Sequence, residues 1–192
     1  MSIRIDGLVN PALFQFRNTI CALGRTHLRN DNILKVCSVF PHVKHMALIN
    51  CPDGNTLEDP IYMGVYKRWL VFICADAYEY HDYHENAAGT DRDNGYSIYQ
   101  TIVYIDPETW SIHKTLRLAS PNDNPVEKNW SPIGTVLDNK SMLLYAHDQN
   151  IIITVDHVTE DANVHYMKDR GDVRGLPVRG GTPIVNHPTE KN

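Results

Sequence analysis

The sequence predicts an all-β fold, and three observations carry that reading. First, four short stretches open similar segments: Asn10-Pro11-Ala12-Leu13-Phe14, Asp59-Pro60-Ile61-Tyr62-Met63, Ser131-Pro132-Ile133-Gly134-Thr135 and Thr182-Pro183-Ile184-Val185-Asn186. From Pro11, Pro60 and Pro132 each segment continues as an apolar stretch, a polar turn (Arg17-Asn18, Lys67-Arg68 or Asp138-Asn139-Lys140) and a second apolar stretch, the pattern of two tightly joined strands. Second, the four prolines stand 49, 72 and 51 residues apart, and the long middle interval carries a polar insertion at 77–96. Without it the period is about fifty residues, the size of one β-propeller blade. Third, Val, Ile, Leu, Phe and Cys recur in short runs with polar breaks, and no segment shows a helical pattern.

Taken in order, the first repeat predicts strands at 12–16, 19–25, 33–40 and 45–50. The second predicts 61–65, 69–75, 97–106 and 111–118, with Asp106-Pro107-Glu108-Thr109 supplying hairpin turn chemistry between the last two. The third predicts 133–137, 142–147, 151–156 and 164–167. Four strands per repeat is the make-up of one antiparallel blade. The expected organisation is one partial propeller domain over 1–192, with blades at 8–52, 57–120 (insertion at 77–96) and 127–175 and the start of a fourth at 179–192.

Composition narrows the function classes. With 18 Lys+Arg against 23 Asp+Glu and no basic run, the electrostatic footprint of a nucleic-acid binder is missing. No stretch reaches the roughly eighteen apolar residues of a membrane span, and residues 1–14 lack the basic start and apolar centre of a secretion signal, so a cytoplasmic setting is the expectation. Cys21, Cys37, Cys51 and Cys74 lack C-x-x-C spacing and fall within apolar strand patterns, which predicts buried free thiols.

The repeat also says where chemistry could gather. The first strand of a blade lies nearest the propeller axis, so the residues before the four prolines, Asn10, Asp59, Ser131 and Thr182, should converge. A residue before proline is held extended, which would fix the direction of these polar side chains. Beside them stand Glu58, the run Glu127-Lys128-Asn129-Trp130, and Arg179-Gly180-Gly181. The plainer reading is that such residues satisfy strand starts and bridge neighbouring blades through hydrogen bonds and ion pairs.

Glu58-Asp59-Pro60, Glu127-Lys128-Asn129-Trp130 and Arg179-Gly180-Gly181-Thr182-Pro183, in this order and about a blade apart, resemble the signature motifs of five-bladed β-propeller glycosidase-like proteins. Within that superfamily the chain is most similar to the inverting β-mannoside phosphorylases and to uncharacterised propeller proteins described as glycosyl hydrolases or glycosyltransferases. The resemblance implies a sugar-binding funnel on the propeller axis, with Asp59 as general acid. Cleavage of a glycosidic bond needs a proton donor for the departing oxygen and a nucleophile on the opposite sugar face, and Glu58 beside Asp59 would favour a protonated carboxyl. If inorganic phosphate is the co-substrate and nucleophile, Lys128 and Arg179 are the cations to hold it, with Arg25 a further candidate; no other cofactor is expected. Asn10, Asn129 and Thr182 complete the expected binding set, and Trp130 would either stack on a sugar face or pack between blades.

Two features depart from that pattern. Enzymes of this type follow Glu-Asp-Pro with arginine where this chain has Ile61, and three blades with the start of a fourth stand where five are expected. The expectation is a fragment of a longer product, a propeller completed by a second chain, or self-association. In the insertion, His81, Asp82, His84 and Glu85 could ligate a metal, but they form one local cluster without a distant partner; no metal is expected, and its tyrosines suit a rim over the funnel. Two functions therefore compete: a glycosidase or glycoside phosphorylase acting on β-mannosides or related glycans, and a non-catalytic sugar-binding or protein-interaction scaffold.

Overall fold

Tight turns build the fold. Phe16 pairs with Thr19, Tyr66 with Trp69 and Leu137 with Lys140, so each first hairpin closes over two residues. Arg17 and Lys67 take φ of 54° and 55°, and Asp138 and Asn139 take 49° and 62°, the left-handed values that match the natural twist of paired strands. The computed structural model describes residues 7–26, 33–52, 55–79, 96–121, 130–145 and 151–166. These residues form twelve strands in three four-stranded antiparallel sheets, and none of them is helical.

The first sheet is β1 (Val9–Phe16), β2 (Thr19–Arg25), β3 (Ile33–Phe40) and β4 (Lys44–Asn50); the second is β5 (Asn55–Tyr66), β6 (Trp69–Glu79), β7 (Tyr96–Asp106) and β8 (Ser111–Leu118). The third is β9 (Ser131–Leu137), β10 (Lys140–Tyr145), β11 (Ile151–Asp156) and β12 (Ala162–Tyr166). Each sheet is a meander with its strands in chain order. The expected strands are all present, but β5 begins at Asn55 and the β6–β7 pairing runs out to Glu79 and Tyr96, into the stretch read as insertion. Neither arm contains Gly or Pro to stop the ladder, so backbone pairing continues.

The sheets pack face to face in chain order. In β6, Leu70, Phe72 and Cys74 turn back onto the first sheet while Val71 and Ile73 turn forward onto the third, so the unbroken apolar run Leu70-Val71-Phe72-Ile73-Cys74 reflects burial on both faces. Phe14 meets Tyr62 and Phe72 across the first seam, with ring centres 5.6 and 5.3 Å apart. Across the second seam, Met63, Tyr66 and Tyr104 pack with Leu143, Tyr145 and Ile153. The first strands β1, β5 and β9 lie side by side. At Gly64, with φ 128°, an added Cβ would stand 3.1 Å from the Val136 amide, so the approach of β5 to β9 requires glycine.

A second repeat element closes the outer hairpins. In Asp106–Trp110 and again in Asp156–Glu160, the first carbonyl accepts the fifth residue's N–H at 2.8 Å. The aspartate Oδ1 accepts the third residue's N–H, at 2.9 Å from Glu108 and 2.8 Å from Val158, and the fifth residue is left-handed. Phe16, just before the first turn of the first sheet, packs on Trp110; Tyr66, its counterpart in the second, stacks on His157. The first and second sheets thus each lay one turn side chain on the outer turn of the next.

Candidate functional site

The residues before Pro11 and Pro60 are not extended. β1 and β5 each carry one extra residue there, between Val9 and Ala12 and between Glu58 and Ile61, and Asn10 and Asp59 take φ of 45° and 47°. Steric pressure from proline toward extended backbone yields to the bulge, at the two residue types that, after glycine, best tolerate left-handed backbone. Gly24 makes room for the first bulge: a Cβ there would sit 2.9 Å from the Val9 carbonyl oxygen. The two bulges face each other, and Asn10 Nδ2 donates to Asp59 Oδ1 at 2.6 Å. Of the four positions expected to converge, Asn10 and Asp59 therefore meet.

A second link crosses the same seam. Arg25, at the end of β2, places Nη1 3.3 Å from Glu58 Oε1, with both side chains partly shielded, while Arg25 Nε is buried without a hydrogen-bond partner. Behind Asp59 lies the buried Cys74 thiol, held well above its ordinary range by burial and then by the negative fields of Cys51, Asp76 and Asp59 around it. Cys51 is likewise pushed up to about 11, chiefly by burial.

Asp76 is the acid that sequence reasoning did not single out. It is 1% exposed; Oδ2 accepts from Thr101 Oγ1 at 3.4 Å and from Arg117 Nη2 at 3.5 Å, and Oδ1 is buried without a partner. Burial raises its pKa, and Arg117 and Thr101 only partly counter that. The signal was an acid in the run Cys74-Ala75-Asp76-Ala77, where alternation puts it on the buried face of Cys74. A second unforeseen cluster joins the second and third sheets: Ser141 Oγ lies 2.7 Å from His157 Nε2, Tyr104 Oη lies 2.5 Å from Nδ1, and all three residues are buried.

The remaining expected positions divide. Ser131 opens β9 and is buried, without the bulge found at Asn10 and Asp59. Trp130 is 1% exposed in the second seam, its ring 5.4 Å from that of Tyr145, which is a packing position. Lys128, Asn129, Arg179, Thr182 and the cluster at 81–85 lie outside the described residues. Among the described residues no three His, Cys, Asp or Glu side chains group to hold a metal, and no helix is long and apolar enough to cross a membrane.

Searched against protein families, the chain matches no family model, and no curated protein sequence matches it. Among solved structures it is similar to the exo-β-1,3-galactanase of Phanerochaete chrysosporium. The form with bound β-1,3-galactotriose aligns at TM-score 0.31 and 8% identity over 85% of this chain and 50% of that one. The form with galactose gives TM-score 0.30 and 8% identity over 82% and 49%. The chain spans about half the length of these structures. At such scores the likeness assigns neither fold nor activity.

Proposed function

We propose that the three sheets are blades of a β-propeller and that the chain is carbohydrate-active, with its site where the bulged first strands meet. The observation that carries this reading is the Asn10–Asp59 contact at 2.6 Å, which brings equivalent positions of two repeats to one place beside the Arg25–Glu58 pair. Asn10 fixes the direction of the half-buried Asp59 carboxyl through Oδ1, and Oδ2 is the oxygen that would carry the proton to a glycosidic oxygen. In this reading Asp59 is the general acid and Asn10 orients it. Glu58 and Arg25 form the wall, Lys128 and Arg179 hold phosphate or sugar oxygens, and the substrate is a β-mannoside or related glycan. The blade boundaries follow the repeats, at 8–52, 57–120, 127–175 and 179–192.

A non-catalytic sugar-binding scaffold is the second reading, favoured by the apolar Ile61 beside the bulge and by the engagement of Arg25 with Glu58. The test is glycan-array binding with the intact chain, followed by assay for reducing sugar and sugar 1-phosphate, with and without phosphate. Loss of a general acid typically costs about a hundred- to ten-thousand-fold in rate, so Asp59→Asn should bind glycan and fail to turn it over. Binding with no turnover by the unsubstituted chain would establish the scaffold reading, and neither binding nor turnover would end the carbohydrate assignment.

A further inference from the structure

Every sheet in this chain has a forward face and a backward face, and the two seams use them with one polarity. The second sheet lays Tyr62, Leu70, Phe72 and Ile105 back onto the first sheet, all packed in the first seam. The strand registers place Leu13, Ile20, Ala22 and Phe40 at the matching positions of the first sheet. Of these Leu13, Ile20 and Phe40 are 61, 44 and 59% exposed, although Leu70 and Ile105 at the matching positions are 2 and 0% exposed, while Ala22 is 0% exposed in a small cluster with Leu8, Cys37 and Val39, so the open part of this face is the strip of Leu13, Ile20 and Phe40. At the other end, Met142 of the third sheet is 46% exposed, where its counterparts Cys21 and Val71 are fully buried against the next sheet.

The outer-turn contact is likewise left half-made at both ends. Phe16 packs on Trp110 and Tyr66 on His157; the third residue of that series is Leu137, 71% exposed just before its turn. The turn it would cover is that of the first sheet, between Phe40 and Lys44, where Val43 is 55% exposed. Charge complements shape. In the first seam Arg17, the first turn residue of its hairpin, meets Glu108 of the next outer turn at 2.7 Å. In the third sheet that position is the exposed Asp138, and the first sheet's outer hairpin offers exposed Lys44 at the start of β4, the same pairing with its signs exchanged.

We propose that the forward face of the third sheet docks on the backward face of the first sheet of a second copy of this chain, continuing the polarity of the two internal seams. The contact is head to tail, so it joins two different surfaces and builds a ring where the rotation closes and an open filament where it does not. It rests on sheet packing alone, holds whether or not the chain acts on glycans, and is an alternative to the fourth blade of the propeller reading.

Sedimentation velocity of the whole chain over a concentration series tests this, with Leu13→Glu/Phe40→Glu on one face and Leu137→Glu/Met142→Glu on the other. The substituted side chains are exposed, so circular dichroism and the urea midpoint should hold while a charge set into an apolar contact weakens association at least about tenfold. Wild type should associate with rising concentration, each variant alone should stay monomeric, and mixing the two should restore a one-to-one complex through the single intact pair of faces. As an arm that needs no folded variant, carbodiimide treatment of mixed isotopically labelled and unlabelled wild type should join Asp138 of one copy to Lys44 of another. A wild-type monomer at all concentrations overturns the proposal. So does association that survives in either variant alone, because the faces would then pair like with like or not be used.

Discussion

Replacing His157 by leucine should be among the most damaging single changes in the second seam, and its cost can be worked from two bonds. His157 is 1% exposed and touches Ser141 Oγ at 2.7 Å and Tyr104 Oη at 2.5 Å, with Tyr66 stacked on its ring at 5.2 Å. Leucine leaves two buried hydroxyls without partners at about 1–3 kcal/mol each, so roughly 2–6 kcal/mol is lost, with about 0.5–1.5 more from the ring contact. Against a total stability of about 5–15 kcal/mol this is a large fraction. Urea unfolding followed by tryptophan fluorescence reads it directly. The triple variant Tyr104→Phe, Ser141→Ala, His157→Leu removes all three polar groups and should lose much less than His157→Leu alone, since the cost lies in orphaned groups rather than in absent bonds.

The same cluster fixes a pH dependence. Burial, and then the positive charge of Lys114, lower the His157 pKa, while Asp156 partly opposes them. The unfolded chain, with an ordinary value of about 6.5, therefore binds more protons than the folded one between the two pKa values. Stability from this site is complete above about pH 6.5 and is lost as pH falls through the lower folded value. The difference between wild-type and His157→Leu stability should shrink over that interval. A loss below about 1 kcal/mol at pH 7.5, or a difference independent of pH, would refute the account of a neutral, fully bonded histidine.

What the sequence made legible was whatever repeats or alternates. The four-strand repeat, the polar turns after Phe16, Tyr66 and Leu137, and the burial of all four cysteines are local or periodic properties, and each is in the structure, the third turn one residue shorter than the expected 138–140 because Lys140 already pairs with Leu137. The convergence of Asn10 on Asp59 was legible for the same reason, because equal positions in stacked repeats become neighbours. The left-handed backbone at those two residues was not, since the pre-proline rule describes a free dipeptide and a bulge is imposed by the partner strand. Asp76 and the Ser141–His157–Tyr104 cluster were hidden for another reason. Each depends on residues brought together by pairing or by stacking between sheets, 16 to 53 positions apart along the chain, and single-strand patterns carry no record of such partners.

Two further outcomes concern the first two sheets. Burial raises the pKa values of all four thiols, Cys51 to about 11 and Cys74 well above its ordinary range, so a thiol reagent at pH 7.5 should label none of them quickly in the native chain and all four in urea; rapid native labelling of Cys51 would contradict its buried position. The last outcome separates strain from bonding at the first bulge. Asn10 combines φ 45° with the bond to Asp59, so Asn10→Ala should lose about 1–2 kcal/mol for left-handed backbone and about 1 kcal/mol for the bond, whereas Asn10→Gly, free at this φ, should lose only the bond. Equal losses in the two variants, measured by urea unfolding, would mean that the bulge relaxes when its side chain is removed and that Asp59 is held from elsewhere.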